Sequence, residues 1–179
     1  MHAINDSPEE NEAQIFIGRQ PIFDSKLNVI AYELLFRSSN VDAFDGGSGD
    51  LATSQLINNA LMEIGLDDIT EDKPAYINFT KDLLMNGVAE LLPAERVVLE
   101  ILETVEIDAE LISGVKQLAD NGYKIALDDF TFSKEWMPLI EIARIIKFDV
   151  MEHSIEEIKQ QLKKFKGHNI KLLAEKVET

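Results

Sequence analysis

Six acidic or amide residues and one lysine lie at or just past the ends of short apolar runs that are spread along the chain. Carboxylate and amide oxygens are the ligands that hard divalent cations prefer, and such cations can activate a water for displacement at phosphorus. The adjacent pair Asp128 and Asp129 is the most distinctive, because only a strand end lets two neighbouring side chains approach one site. The full set is Glu33, Asn78, Glu100, Asp128, Asp129, Lys147 and Glu175.

Each of these residues has a simpler explanation when it is taken singly. An acidic residue at a strand end commonly caps the helix that follows. Lys147 could be a salt-bridged lysine whose stem packs on apolar neighbours, and Glu103 could be a capping acid. His2, His153 and His168 lack the spacing of a metal site and are expected at the surface. Only the joint pattern favours a metal site.

Short apolar runs separated by helical patterns must position these side chains. Buried parallel strands are predicted at residues 75–79, 97–102, 124–127, 145–148 and 170–174, and helices at residues 51–64, 81–90, 108–121, 136–143 and 154–166. Two earlier runs, residues 15–18 and 29–36, flank a predicted turn over residues 21–28, which indicates a leading hairpin. The alternation predicts a (β/α) barrel whose polar groups gather at one mouth.

Composition limits the classes of partner. A formal net charge of −16 opposes binding to nucleic-acid polymers and to anionic membranes, since both require a basic surface. The chain has no cysteine, so any metal must use oxygen or histidine ligands. No apolar run approaches the roughly 20 residues of a membrane span, and no signal peptide is evident, so we expect a cytoplasmic protein. Residues 1–12 are polar and acidic and are expected to form a disordered tail before one domain over residues 13–179.

Ordered segments across most of the chain resemble one protein family. Residues 33–37, Glu-Leu-Leu-Phe-Arg, resemble the Glu-Ala-Leu-x-Arg signature of EAL domains, phosphodiesterases that cleave the bacterial second messenger cyclic di-GMP. The resemblance implies an α/β fold, a TIM-like (β/α) barrel of EAL type. Further family blocks are matched in order by Gln-Pro-Ile at 20–22, Ile-Asn-Phe-Thr at 77–80, Leu-Glu-Ile-Leu-Glu at 99–103, Leu-Asp-Asp-Phe at 127–130, Ile-Lys-Phe-Asp at 146–149 and Ala-Glu-Lys-Val-Glu-Thr at 174–179.

A subgroup is indicated by residues 44–53. This segment is similar to the Asp-Gly-x-x-Ala-Thr stretch of EAL proteins that carry a C-terminal HDOD domain, often called YuxH-like. The resemblance implies that the barrel is incomplete at its C-terminus, with its last helix and strand and any HDOD domain absent. Uncovered sheet edges then predict a homodimer, or packing against the HDOD domain in the full-length protein.

The resemblance also implies roles for individual residues. Glu33, Asn78, Glu100, Asp128, Asp129 and Glu175 would ligate Mg²⁺ or Mn²⁺, and Glu33 would thereby take part in catalysis. Lys147 would orient the attacking water, and Glu103 would fix the loop after Asp129. Gln20, Arg37 and Asp149 would hold the cyclic dinucleotide.

Two departures from the family pattern bear on activity. Residues 130–136 read Phe-Thr-Phe-Ser-Lys-Glu-Trp where catalytic members have Phe-Gly-Thr-Gly-Tyr-Ser-Ser, so two glycines are lost. Lys176 replaces the glycine that follows Glu175. One expectation is therefore a metal-dependent phosphodiesterase, of ordinary or low activity, that converts cyclic di-GMP to linear pGpG in bacterial signalling. The alternative is a catalytically degenerate EAL module that acts as a nucleotide sensor or a protein-interaction domain.

Overall fold

A single curled sheet forms the centre of the molecule. The structure, a computed structural model, describes residues 15–38, 65–128, 134–151, 154–163 and 169–177. Within these residues, seven strands follow one another across the sheet in chain order, and the sheet remains open as a half-barrel. The strands are β1 (Ile15–Phe23), β2 (Val29–Ser38), β3 (Ala75–Phe79), β4 (Val97–Ile101), β5 (Lys124–Leu127), β6 (Ile145–Asp149) and β7 (Lys171–Glu175).

The strand directions match the sequence expectation. β1 pairs with β2 antiparallel, and every later pair is parallel. The predicted barrel-type α/β fold with a leading hairpin is therefore confirmed. The helices are α1 (Leu66–Thr70), α2 (Lys81–Met85), α3 (Ala109–Asp120), α4 (Met137–Ile142) and α5 (Ile155–Leu162), with 3-10 turns at Ala89–Leu91 and Lys134–Trp136.

The hairpin turn is shorter than predicted. β1 continues through Pro21 to Phe23, whereas residues 21–28 were all expected in the turn. A proline is tolerated there because β1 is the first strand of the sheet and needs to pair on one side only. The turn is set instead by Asp24, whose Oδ1 accepts the backbone N–H groups of Lys26 at 2.8 Å and Asn28 at 2.9 Å.

The predicted helix over residues 81–90 is also shorter. α2 ends at Met85, because Gly87 has a φ of 75° and turns the chain out of the helix. Helix α3 agrees closely with its prediction. Its N-cap Asp108 accepts a hydrogen bond from Leu111 N at 2.9 Å, satisfying a free donor of the first turn.

The main core lies between the sheet and the helices. Alternate residues of each central strand, such as Ala75, Ile77 and Phe79 in β3, are buried in this core. Helix α3 contributes Leu111, Val115 and Leu118, which lie on one face at helical spacing. The intervening strand residues consequently point to the other, concave face of the sheet. No helix in the described ranges is long and apolar enough to cross a membrane.

The predicted tail at residues 1–12 and the predicted helix at residues 51–64 lie outside the described residues.

Candidate functional site

The concave face of the sheet has an apolar floor. Val98, Ala126 and Ile145, from three adjacent strands, are buried together, with Tyr76 and Leu173 packed against them. Each of these residues is followed two positions later by a polar residue on the same face. These polar residues form a layer next to the floor on the side of the carboxyl ends of the strands, where ligands bind in parallel sheets.

The polar layer is organised around one lysine. The Lys147 side chain is only 1% exposed, and its ammonium is surrounded by carboxylates from four other strands or strand ends. We call these four residues the acidic cluster. Lys147 Nζ lies 3.4 Å from Glu33 Oε2, 2.8 Å from Glu100 Oε1, 2.9 Å from Asp128 Oδ1 and 2.7 Å from Glu175 Oε1.

Burial and mutual charge set the protonation of this cluster. The Glu100 side chain is 0% exposed, and burial raises its pKa to about 8, although attraction to Lys147 opposes the shift. Burial also raises the pKa of Glu175 to about 7. For Lys147, burial alone would lower the pKa, but the charges of Glu100, Asp128 and Glu33 outweigh it and raise the pKa. Lys147 is therefore protonated and is stabilised by the carboxylates around it.

Several oxygen atoms of the layer have unused bonding capacity. Asn78 Oδ1 and Glu100 Oε2 are buried without a hydrogen-bond partner, whereas Glu100 Oε1 lies 2.8 Å from Lys147 Nζ in an ion pair. Asn78 lies beside Glu100 in the β3–β4 register. As arranged here, no three acidic or histidine side chains in the described ranges form a metal site. The donor chemistry nevertheless fits a hard cation, because such cations prefer buried carboxylate and amide oxygens.

The remaining predicted site residues lie around this centre. Asp149 ends β6 two residues after Lys147 and is 4% exposed. Gln20 pairs with Glu33 in the β1–β2 register and is exposed, as is Glu103 beyond the end of β4. The Arg37 side chain and the whole of Asp129 lie outside the described residues.

Two features of the site were not anticipated from the sequence. Tyr76 forms part of the floor, and burial together with the Glu100 charge raises its pKa. Lys176 forms an ion pair with Asp149, at 2.5 Å between Nζ and Oδ2. The change from glycine to lysine at position 176 was visible in the sequence, but its partner lies 27 residues earlier in the chain and could be found only from the fold.

The chain has curated relatives in two bacteria, although no protein-family model matches it. It is 36% identical over 171 residues to the uncharacterized protein YuxH of Bacillus subtilis, covering 93% of this chain and 42% of YuxH. It is 33% identical over 176 residues to the cyclic di-GMP phosphodiesterase CdgJ of Vibrio cholerae, covering 96% of this chain and 40% of CdgJ. The chain thus spans about two fifths of the length of these relatives.

A solved structure shares the fold of this chain. The Bacillus subtilis YkuI protein, which has an EAL domain and was solved with cyclic di-GMP and calcium, superposes with a TM-score of 0.70. It is 22% identical, and the match covers 92% of this chain and 50% of that one. The chain belongs to the EAL-domain family. The resemblance to EAL domains is confirmed, and the open sheet with its leading hairpin is an EAL-type fold.

Proposed function

We propose that this EAL-domain chain is the catalytic part of a phosphodiesterase that hydrolyses cyclic di-GMP to linear pGpG in bacterial signalling. The observation that supports it most directly is the acidic cluster around Lys147, which places four carboxylates at the carboxyl ends of the strands. The similarity to CdgJ, a cyclic di-GMP phosphodiesterase, favours this substrate over other phosphate esters.

The proposal assigns Mg²⁺ or Mn²⁺ to the acidic cluster. Asn78 would complete the ligand set, since its Oδ1 is buried without a hydrogen bond, and Asp129 would join it. A bound divalent cation would stabilise the negative charge that develops on a phosphodiester under attack. The calcium in the YkuI complex supports a divalent cation at an EAL domain.

The chain's own groups would perform the remaining work. Lys147, once the metal takes up the carboxylates, would donate a hydrogen bond that orients the attacking water. Gln20, Arg37 and Asp149 would hold the dinucleotide, and Glu103 would fix the loop after Asp129. The apolar floor would exclude bulk water beneath the site, which strengthens every charge interaction above it.

A second candidate function is a sensor or a protein-interaction module without turnover. The observation that favours it is the Lys147 ammonium itself, which lies 2.7 to 2.9 Å from three carboxylates and competes with a metal for them. The loss of both glycines within residues 130–136 favours it as well, because the family's loop path needs their conformational freedom.

One experiment distinguishes the two candidate functions. Cyclic di-GMP is titrated calorimetrically into the protein in Mg²⁺, Mn²⁺ or EDTA, and the mixture is then chromatographed for pGpG. Metal-dependent product formation that is lost in Glu33→Ala and retained in Glu106→Ala supports the enzyme, because Glu106 is exposed and outside the cluster. Binding without product supports the sensor. Turnover that persists unchanged in Glu33→Ala would refute the metal assignment.

The edge of the sheet at β7 bears on assembly. β7 is the last strand of the sheet among the described residues, so one of its edges is unpaired there. We propose that a second copy or a C-terminal HDOD domain of the longer protein covers this edge. We also propose that the protein is cytoplasmic, that residues 1–12 form a tail and that residues 13–179 form the barrel domain.

A further inference from the structure

Lys176 adopts a backbone conformation that lysine rarely takes. Its φ is 52°, in the left-handed region, immediately after the end of β7. A side chain there costs conformational energy relative to glycine. The lysine is held by a specific contact, since its Nζ lies 2.5 Å from Oδ2 of Asp149.

The contact places a cation at the rim of the site. Asp149 and Glu175 are neighbours in the β6–β7 register, at the carboxyl ends of their strands. Asp149 is also two residues beyond Lys147 on the same face of β6, so it lies one level above Lys147 and beside Glu175. An ammonium bound to Asp149 therefore lies at the mouth, on the solvent side of Lys147.

The rigidity of this arrangement comes from Asp149. Its Oδ1 accepts the backbone N–H of Met151 at 2.7 Å, while Oδ2 binds Lys176. The carboxylate is 4% exposed, whereas the Lys176 side chain is 57% exposed. Asp149 thus acts as a buried anchor, and the lysine it holds remains accessible to a ligand that enters from solvent.

Charge explains what such a ligand would gain. A phosphodiester approaching the mouth meets the carboxylates of the acidic cluster and of Asp149, which repel it, so Asp149 can hold the dinucleotide only through a cation that it binds. In the part of the chain that the structure describes, Lys147 and Lys176 are the lysines that contact these carboxylates. Lys147 is buried among its partners and cannot reach outward, so the rim cation is Lys176.

We propose that Lys176 is a positioning residue that contacts a phosphate of the bound cyclic dinucleotide while Asp149 holds its ammonium in place. The inference rests on the proposed function and deepens it, because it assigns phosphate recognition to a residue that replaces the family's glycine. An ammonium fixed by a buried carboxylate loses less freedom on binding than an unattached one, so more of its attraction appears as affinity.

The test measures binding directly. Cyclic di-GMP is titrated into the full chain in Ca²⁺, at low and high salt, for wild type, Lys176→Met, Lys176→Arg and Lys171→Met. Methionine keeps the length of the side chain without its charge, and arginine restores the charge. Lys171 is the matched control because it is an exposed lysine at the opposite end of the same strand.

The expected result is a dissociation constant about tenfold weaker for Lys176→Met, with a shallower salt dependence than wild type. Lys176→Arg should recover most of the affinity, and Lys171→Met should match wild type. Equal or tighter binding by Lys176→Met, with unchanged salt dependence and unchanged thermal stability, would overturn the inference alone. Failure of wild type to bind at all would instead overturn the proposed function on which it rests.

Discussion

Replacing Lys147 by methionine should strongly destabilise the metal-free protein. The ammonium is buried and lies within 3.4 Å of an oxygen from each residue of the acidic cluster. Methionine fills a similar volume, so the substitution removes charge without opening a large cavity. Removing one partner of a buried ion pair leaves uncompensated charge and costs about 3–5 kcal/mol in the free energy of unfolding.

The size of this loss should depend on pH in a defined direction. The pKa of Lys147 is raised in the folded protein, so Lys147 itself stays charged at every pH below its unfolded pKa of about 10.4. The pH dependence must therefore come from its carboxylate partners. Glu100 has a pKa of about 8 with Lys147 beside it, and loss of Lys147 raises this pKa further, so folding of the variant holds a proton on Glu100 that wild type releases as the pH rises. The loss should therefore approach about 5 kcal/mol near pH 8.5 and fall to about 3 kcal/mol or less near pH 6.

Urea unfolding followed by circular dichroism, in EDTA at both pH values, measures this loss. Lys124→Met is the matched control, because Lys124 is an exposed lysine at the start of β5. It should change stability by less than about 0.5 kcal/mol. If Lys147→Met were as stable as wild type near pH 8.5 in EDTA, Lys147 would not be the counter-cation of the acidic cluster, and the arrangement described for the site would be incorrect.

Two further predictions concern the wild-type chain and its helix α3. The folded pKa of Glu100 lies above its ordinary value of 4.5, so the protonated side chain favours the folded state. This contribution to the stability of the metal-free protein should be lost as the pH rises from about 4.5 to 8. Urea titrations at several pH values should show the decline, and Glu100→Gln should flatten it. Asp108→Ala should lower the urea midpoint of unfolding, because Leu111 N loses its N-cap and Lys81 loses an ion-pair partner. Asp120→Ala, at the exposed end of the same helix, should change the midpoint little, and equal midpoints for the two variants would contradict the capping role.

The strands were predictable because burial on both faces leaves a strong pattern. Residues 75–79 and 124–127 are apolar except for Asn78 and Lys124, and their observed bounds coincide with those predicted. The convergence of Glu33, Glu100 and Glu175 was also predictable, since parallel strands bring their carboxyl ends to one edge. Strand position alone determines which side chains meet.

Other features depend on tertiary contacts that the local sequence does not encode. The burial of Lys147 among carboxylates follows from strand register, and no local signal distinguishes it from an exposed lysine. The hairpin extended through Pro21 because of the place of β1 in the sheet. Helix α1 was missed since it is only five residues long and has little periodicity. The ion pair of Lys176 with Asp149 needed the β6–β7 register.

The strands lie in the sheet in the same order in which the ribosome synthesises them. Each strand pairs with its immediate predecessor in the chain, so every new strand can add to an edge that already exists as the ribosome extends the polypeptide. Glu33 and Glu100 are made early, whereas Lys147 and Glu175 arrive with the last two described strands. Until β6 is added, Glu33 and Glu100 therefore lack the Lys147 ammonium that they contact in the folded sheet.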